Sequence, residues 1–195
     1  MRRSRGLLLA VLASCALILG VVLALLLRRD NSSPRADLEA GMPAPALEGS
    51  AVRGGHVNLE GLRGGIVLVS FLNTRAEATV VGDPSRAQIV FLRSMQRQHK
   101  RLGLRVIVVD AAGLAGAGRP SRNDLVNYTY DWNLDSTVAV LRDDGTLARR
   151  FGVAHAPTTF LIGPKGIVRK RWDGFAPAAQ LDFSLRTLEH RSRTD

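Results

Sequence analysis

Two short apolar runs on either side of a helix-start signal constrain this chain more than any other feature. Ile66-Val67-Leu68-Val69-Ser70-Phe71-Leu72 is almost continuously hydrophobic and is bounded by Gly64-Gly65 and Asn73; Arg105-Val106-Ile107-Val108-Val109-Asp110 repeats the pattern. Unbroken runs of this length, rich in β-branched residues, predict strands buried on both faces. Between them, Asp83-Pro84-Ser85 has the form of an N-cap followed by proline at the first helical position. Ala87, Val90, Phe91 and Met95 then recur at helical spacing and mark an expected inner face. Strand, helix and strand make a βαβ unit, whose crossover is expected to be right-handed.

The remaining soluble sequence extends this unit. Residues 111–120 are rich in Gly and Ala and read as a flexible loop, since their glycine spacing matches neither a dinucleotide fingerprint nor a phosphate-binding loop. A helix is expected over residues 123–132, a short strand over 138–141, and a helical turn or two over 145–151. Strands at 158–162 and 167–172 flank Gly163-Pro164-Lys165-Gly166 and so form a hairpin, and residues 178–190 close the chain as an amphipathic helix. With 46% hydrophobic residues there is ample material for one core. The expected architecture is a single α/β domain, a mixed central sheet flanked by helices.

Residues 6–27 carry no charge. As a helix this segment would be about 33 Å long, enough to cross a hydrocarbon core of about 30 Å. Arginines at 2, 3 and 5 precede it and Arg28-Arg29-Asp30 follows, so the N-terminus is expected in the cytoplasm and the remainder outside. The resulting organisation is a cytoplasmic N-terminus at 1–5, a transmembrane anchor at 6–27, a linker at 28–40 and the folded domain at 41–195. Two alternatives stand beside the uncleaved anchor. One is a cleaved signal peptide, although the apolar run exceeds the usual length of such a segment. The other is a lipoprotein, because Leu12-Ala13-Ser14-Cys15 resembles a lipobox, although strong hydrophobicity continues well past Cys15. All three put the domain outside the cytoplasm, associated with or exported across the cell membrane.

The formal charge of +10 is less informative than it looks, because half of it surrounds this N-terminal segment. Arg169-Lys170-Arg171-Trp172 sets cations beside an aromatic, as in phosphate recognition, but an edge strand protected by cations explains it as well. Nucleic acid is therefore not an expected partner. The four histidines are scattered and the chain has one cysteine, so no metal site and no cofactor are expected and no Cys-x-x-Cys pair exists.

Several segments, taken in order, resemble the extracytoplasmic thioredoxin-like proteins of the TlpA/ResA (redoxin) type. Gly41-Met42-Pro43-Ala44-Pro45 resembles their entry segment, and Gly55-His56-Val57-Asn58-Leu59 with Leu62-Arg63-Gly64 their N-terminal hairpin. Val69-Ser70-Phe71 matches the strand leading into their active-site motif. Asp144-Gly145, Phe151-Gly152-Val153, Ala156-Pro157-Thr158-Thr159-Phe160-Leu161-Ile162, Gly166 and Gly174 follow their C-terminal half. The resemblance implies a thioredoxin-like fold and a cis Ala156–Pro157 bond, in a loop that takes a partner's backbone in strand-like pairing.

The departure from the family is chemical. Thioredoxin-type exchange needs a thiolate at a helix N-terminus and a second cysteine to resolve the mixed disulfide. The matching stretch here reads Phe71-Leu72-Asn73-Thr74-Arg75-Ala76-Glu77-Ala78-Thr79, which places Ala76 and Thr79 where the resemblance implies the two cysteines. The copper-delivery and peroxidase branches of the superfamily are excluded for the same lack of thiols. The hydroxyls of Thr79 and Ser85 have no base paired with them in the sequence, and His155 reads as a solvated loop residue. The expected function is a membrane-anchored, non-catalytic module that binds an extracytoplasmic polypeptide through Asn73, Thr74, Arg75, Trp132, His155, Ala156, Pro157 and Thr158. The alternative is a thiol-disulfide oxidoreductase or antioxidant working with a thiol from another protein. If the register is right, the Ala76→Cys/Thr79→Cys double variant oxidises to one intramolecular disulfide, read by mass spectrometry as the loss of two free thiols. A variant that stays reduced under air places the motif elsewhere in the loop before Asp83.

Overall fold

The computed structural model of the chain describes residues 38–75 and 83–192; the expected membrane span, Cys15, Ala76 and Thr79 lie outside the described residues. Among the described residues no helix is long and apolar enough to cross a membrane. In chain order the elements are a hairpin of β1 (Glu48–Ser50) and β2 (His56–Asn58), then β3 (Val67–Leu72), α1 (Pro84–Gln98), β4 (Arg105–Asp110), α2 (Arg122–Asp131), β5 (Val138–Leu141), α3 (Thr146–Arg150), β6 (Thr158–Ile162), β7 (Val168–Asp173) and α4 (Ala178–Ser192).

All six residues of β3 are buried, and the strand is paired along both edges. On one side it runs parallel to β4, with Val67 opposite Arg105 and Leu72 opposite Asp110. On the other it runs antiparallel to β6, with Val67 opposite Ile162 and Phe71 opposite Thr158. β5 extends the parallel half and β7 the antiparallel half, giving the order β5-β4-β3-β6-β7. The Arg169–Trp172 stretch thus lies on an edge strand. Its cations are in use there: Arg171 pairs with Asp173 at 2.8 Å and Lys170 Nζ stands 4.9 Å from the Trp172 ring.

Alternation along the strands sorts their side chains between two cores. Leu68, Leu72, Val106, Val108 and Leu161 meet Ile89, Leu92 and Met95 of α1, Leu125 of α2, and Leu181 and Leu185 of α4. Val69, Phe71, Ile107, Val109 and Phe160 meet Leu147 of α3, Phe151, and Leu47 and Leu59 around the hairpin. One face is therefore covered by three helices, the other by one short helix and irregular segments. At the centre of the second core Phe71, Phe151 and Phe160 pack with ring centroids 5.4–6.1 Å apart.

Two local expectations are corrected. Met95 is buried, but Ala87 and Val90 of α1 are exposed and Phe91 is half-buried; the inner face is instead Ser85, Gln88, Ile89, Leu92, Met95 and Gln96. The helix starts where expected, capped by Asp83, whose carboxylate accepts from the Ser85 backbone N–H at 2.7 Å. Its rotation differs because two inward polar oxygens have partners: Ser85 Oγ accepts from the Asn73 N–H at 3.1 Å, and Gln88 Oε1 accepts from the Ala176 N–H at 2.7 Å, while Gln88 Nε2 is buried without one. The glycine-rich loop is not featureless either. Ala112–Ala115 forms a 3₁₀ turn closed by Gly116, whose φ of 72° is left-handed, and Ala112 is fully buried.

Phe71→Ala removes the centre of the aromatic trio and is expected to cost about 3–5 kcal/mol. That is a large share of a domain stability of about 5–15 kcal/mol, and urea unfolding followed by tryptophan emission measures it. Phe183→Ala, at a residue 71% exposed, is the control and should change stability by less than about 0.5 kcal/mol.

Candidate functional site

The three residues that leave β3 are each held by a different element. The Asn73 backbone N–H donates to Ser85 Oγ in the first turn of α1, while Asn73 Oδ1 accepts from the Arg75 N–H at 3.2 Å. Thr74 Oγ1 donates to Asp110 Oδ1, at the end of β4, at 2.6 Å. Arg75 donates to the Ala117 carbonyl at 3.3 Å and pairs with Asp124 at 3.2 Å. Asp124 is also the third residue of a capping box with Ser121, so Arg75 ties this segment to the start of α2. Asn73, Thr74 and Arg75 are thereby fixed at the carboxyl ends of the parallel strands, where ligands of open α/β sheets bind.

The second half of the site comes from the antiparallel side. Because Thr158 stands opposite Phe71, continuing that register sets Pro157 and Ala156 beside Leu72 and Asn73. The Ala156–Pro157 bond is cis. The Pro157 carbonyl accepts from the Gly174 N–H at 2.8 Å, and Thr158 Oγ1 donates to the His155 carbonyl at the same distance. Thr158 is fully buried, Ala156 half-buried and His155 exposed. The bend is thus braced between the end of β3 and the loop that follows β7.

That loop carries a residue the sequence reading passed over. Phe175, next to Gly174, is 39% exposed, and its ring lies 5.4 Å from that of Phe91, with Val90 exposed beside it on α1. The inward turn of Ser85 and Gln88 is what brings these apolar side chains to the surface. The available signal was Gly174-Phe175-Ala176-Pro177, a turn sequence with an aromatic residue that no strand or helix needs. Trp132 sits on the flank of α1, half-buried, its ring 6.3 Å from Tyr128 and 5.4 Å from the Arg86 guanidinium, and its carbonyl accepts from Arg93 at 2.8 Å. The β3–β6 pairing ends at Phe71 and Thr158, so Asn73–Arg75 and Ala156–Pro157 continue from adjacent strand ends; Trp132 is attached through α1.

Electrostatically, Asp110 is the unusual group. Burial pushes its carboxyl above the ordinary range, the Thr74 hydroxyl and the Ala112 N–H partly offset that, and nearby Asp143 raises it against the opposing pull of Arg142. Burial likewise pushes the Tyr128 hydroxyl up, with Asp110 and Asp83 adding to it. The hydroxyls at the site are engaged with carbonyl, carboxylate or amide groups rather than with an imidazole. No cysteine occurs after Cys15. Among the described residues no three His, Cys, Asp or Glu side chains converge to hold a metal ion. What the described residues present here is backbone at a braced bend, an apolar ledge and fixed polar groups.

An α/β domain with this strand order and a cis proline facing the end of its central strand has the architecture of the thioredoxin-like proteins. The chain belongs to the AhpC/TSA family, whose model matches residues 40–171. It is similar to the thiol-disulfide oxidoreductase ResA of Bacillus cereus, at 23% identity over 174 residues, 88% of this chain and 91% of that protein. Among solved structures, a putative thiol:disulfide interchange protein DsbE from Chlorobium tepidum superposes with a TM-score of 0.63 at 25% identity, covering 77% of this chain and 98% of that one. StoA from Bacillus subtilis matches with a TM-score of 0.56 at 16% identity, covering 74% and 98% respectively, a likeness of fold.

The raised Asp110 pKa has a sign that can be tested. A carboxyl that holds its proton more tightly folded than unfolded contributes stability that is fully present below its unfolded pKa. That contribution is lost as pH rises through the folded value. This contribution should therefore fall as pH rises above about 4, the ordinary carboxylate range, while Asp124, Asp135, Asp144 and Asp182, each held below that range, contribute in the opposite direction; the difference in urea midpoint between the parent chain and Asp110→Asn isolates it. Asp110→Asn, which keeps an acceptor for Thr74 and Ala112, should flatten that fall.

Proposed function

We propose that the chain is a membrane-anchored, extracytoplasmic thioredoxin-like module that binds a polypeptide without catalysing disulfide exchange. One observation carries the reading: the segment after β3 and the cis-proline bend are held side by side, in a chain with no sulfur nucleophile after Cys15. An extended segment of the partner would pair with backbone at Ala156–Thr158 while an apolar side chain rests on Phe175 and Phe91. Asn73, Thr74 and Arg75 would border the other side, and His155 and Trp132 the flanks. Residues 6–27 would hold the domain at the outer surface of the membrane. The names of the relatives favour a second reading, in which the chain acts in thiol-disulfide exchange with a thiol supplied by another protein.

A photo-crosslinking residue in place of His155, in the full chain expressed in its own membrane, tests the first reading. It should give a discrete polypeptide adduct. Phe175→Asp should reduce that adduct about tenfold, as expected for loss of an aromatic anchor. Reduction of a protein disulfide by the full chain, above the rate of the thiol donor alone, would establish the second reading instead.

A further inference from the structure

A groove of about 450 Å³ lies between β7 and α4, away from the proline bend, and its rim includes Ala40, Gly41, Lys170, Phe183 and Thr187. Phe183 is 71% exposed, the most exposed large apolar side chain among the described residues. Met42, next to Gly41, is 43% exposed, and its carbonyl accepts from the Val168 N–H at the base of β7. Beside these two stand Arg169, exposed, and Lys170, half-buried. Neither cation is paired with a carboxylate among the described residues, and Asp182 on α4 is taken up by His99 and Arg186 at 2.8 Å each. An exposed aromatic, a thioether and two cations without a carboxylate partner, one of them resting on the Trp172 ring, form the pattern of a surface that meets the headgroup layer of a bilayer.

The chain's own course points to the same occupant. Residues 38–41 enter the fold at this groove. Ten residues lie between Leu27, the last residue of the expected span, and Leu38, a tether of at most about 40 Å fully extended. A tether this short turns a weak contact into an effectively intramolecular one. We propose that the face formed by Met42, Arg169, Lys170 and Phe183 docks on an anionic lipid surface, leaving the Pro157–Phe175 site directed to a polypeptide. This inference rests on the anchored reading given above.

The test uses the full chain with Cys15→Ser and Ser184→Cys, labelled at position 184 with an environment-sensitive fluorophore. It is reconstituted into nanodiscs of phosphatidylcholine alone or with phosphatidylglycerol. Docking predicts a blue-shifted emission in the phosphatidylglycerol discs that weakens with added salt. Lys170→Ala should lower the docked-to-free ratio about fivefold, the effect of one cation near an anionic surface. Phe183→Ser should lower it as well. A chain retained in the discs with the same emission in both lipids overturns the docking and leaves the anchor intact. A chain that never enters the discs overturns both. A blue shift that needs no lipid and disappears on dilution assigns the face to a second copy of the chain and overturns the proposal.

Discussion

Strand β3 sits in the middle of the sheet, buried on both faces, with a parallel neighbour on one edge and an antiparallel one on the other. A strand in that position has no freedom of register, because a slip of one residue would exchange Phe71 and Leu72 between two cores that they fill differently. The fixed register delivers Asn73, Thr74 and Arg75 to one point and holds Thr158 opposite Phe71. The site is thus a consequence of strand pairing. Its two halves, more than eighty residues apart in the chain, meet because each continues a strand anchored in the centre.

Polar side chains then hold the segments around the site together. Ser85, Gln88 and Asp110 are buried, and each accepts a hydrogen bond from a backbone N–H or a hydroxyl of another segment. They tie the segment after β3 to α1 and β4, and α1 to the loop bearing Phe175. Burial makes Asp110 a costly group to keep ionised, and a chain retains such a group most readily where it orders a loop. The braced bend and the apolar ledge stand in a chain with no thiol after Cys15, which is the physical basis for proposing a recognition surface.

The two proposed surfaces lie on different parts of the domain. The proline bend and Phe175 lie at the carboxyl end of β3, whereas Met42, Lys170 and Phe183 lie where the chain enters the fold. On the proposed reading, separation of the two faces would let one engage a bilayer while the other stays open to a polypeptide.

Much of this was legible in the sequence. Continuous apolar runs gave β3 and β4, Asp83-Pro84 gave the start of α1, and the Gly163–Gly166 turn gave the β6–β7 hairpin, because each is set by neighbours close along the chain. Residue order also established that no disulfide chemistry is available after Cys15. What tertiary structure alone decided was rotation and neighbourhood. The apolar spacing of Ala87, Val90, Phe91 and Met95 pointed to an inner face that α1 does not use, since Asn73 and Ala176, distant in sequence, supply partners that draw Ser85 and Gln88 inward. Phe175 became a site residue for the same reason: whether an aromatic side chain is core or surface depends on what the rest of the chain packs against it, and local periodicity carries no record of that.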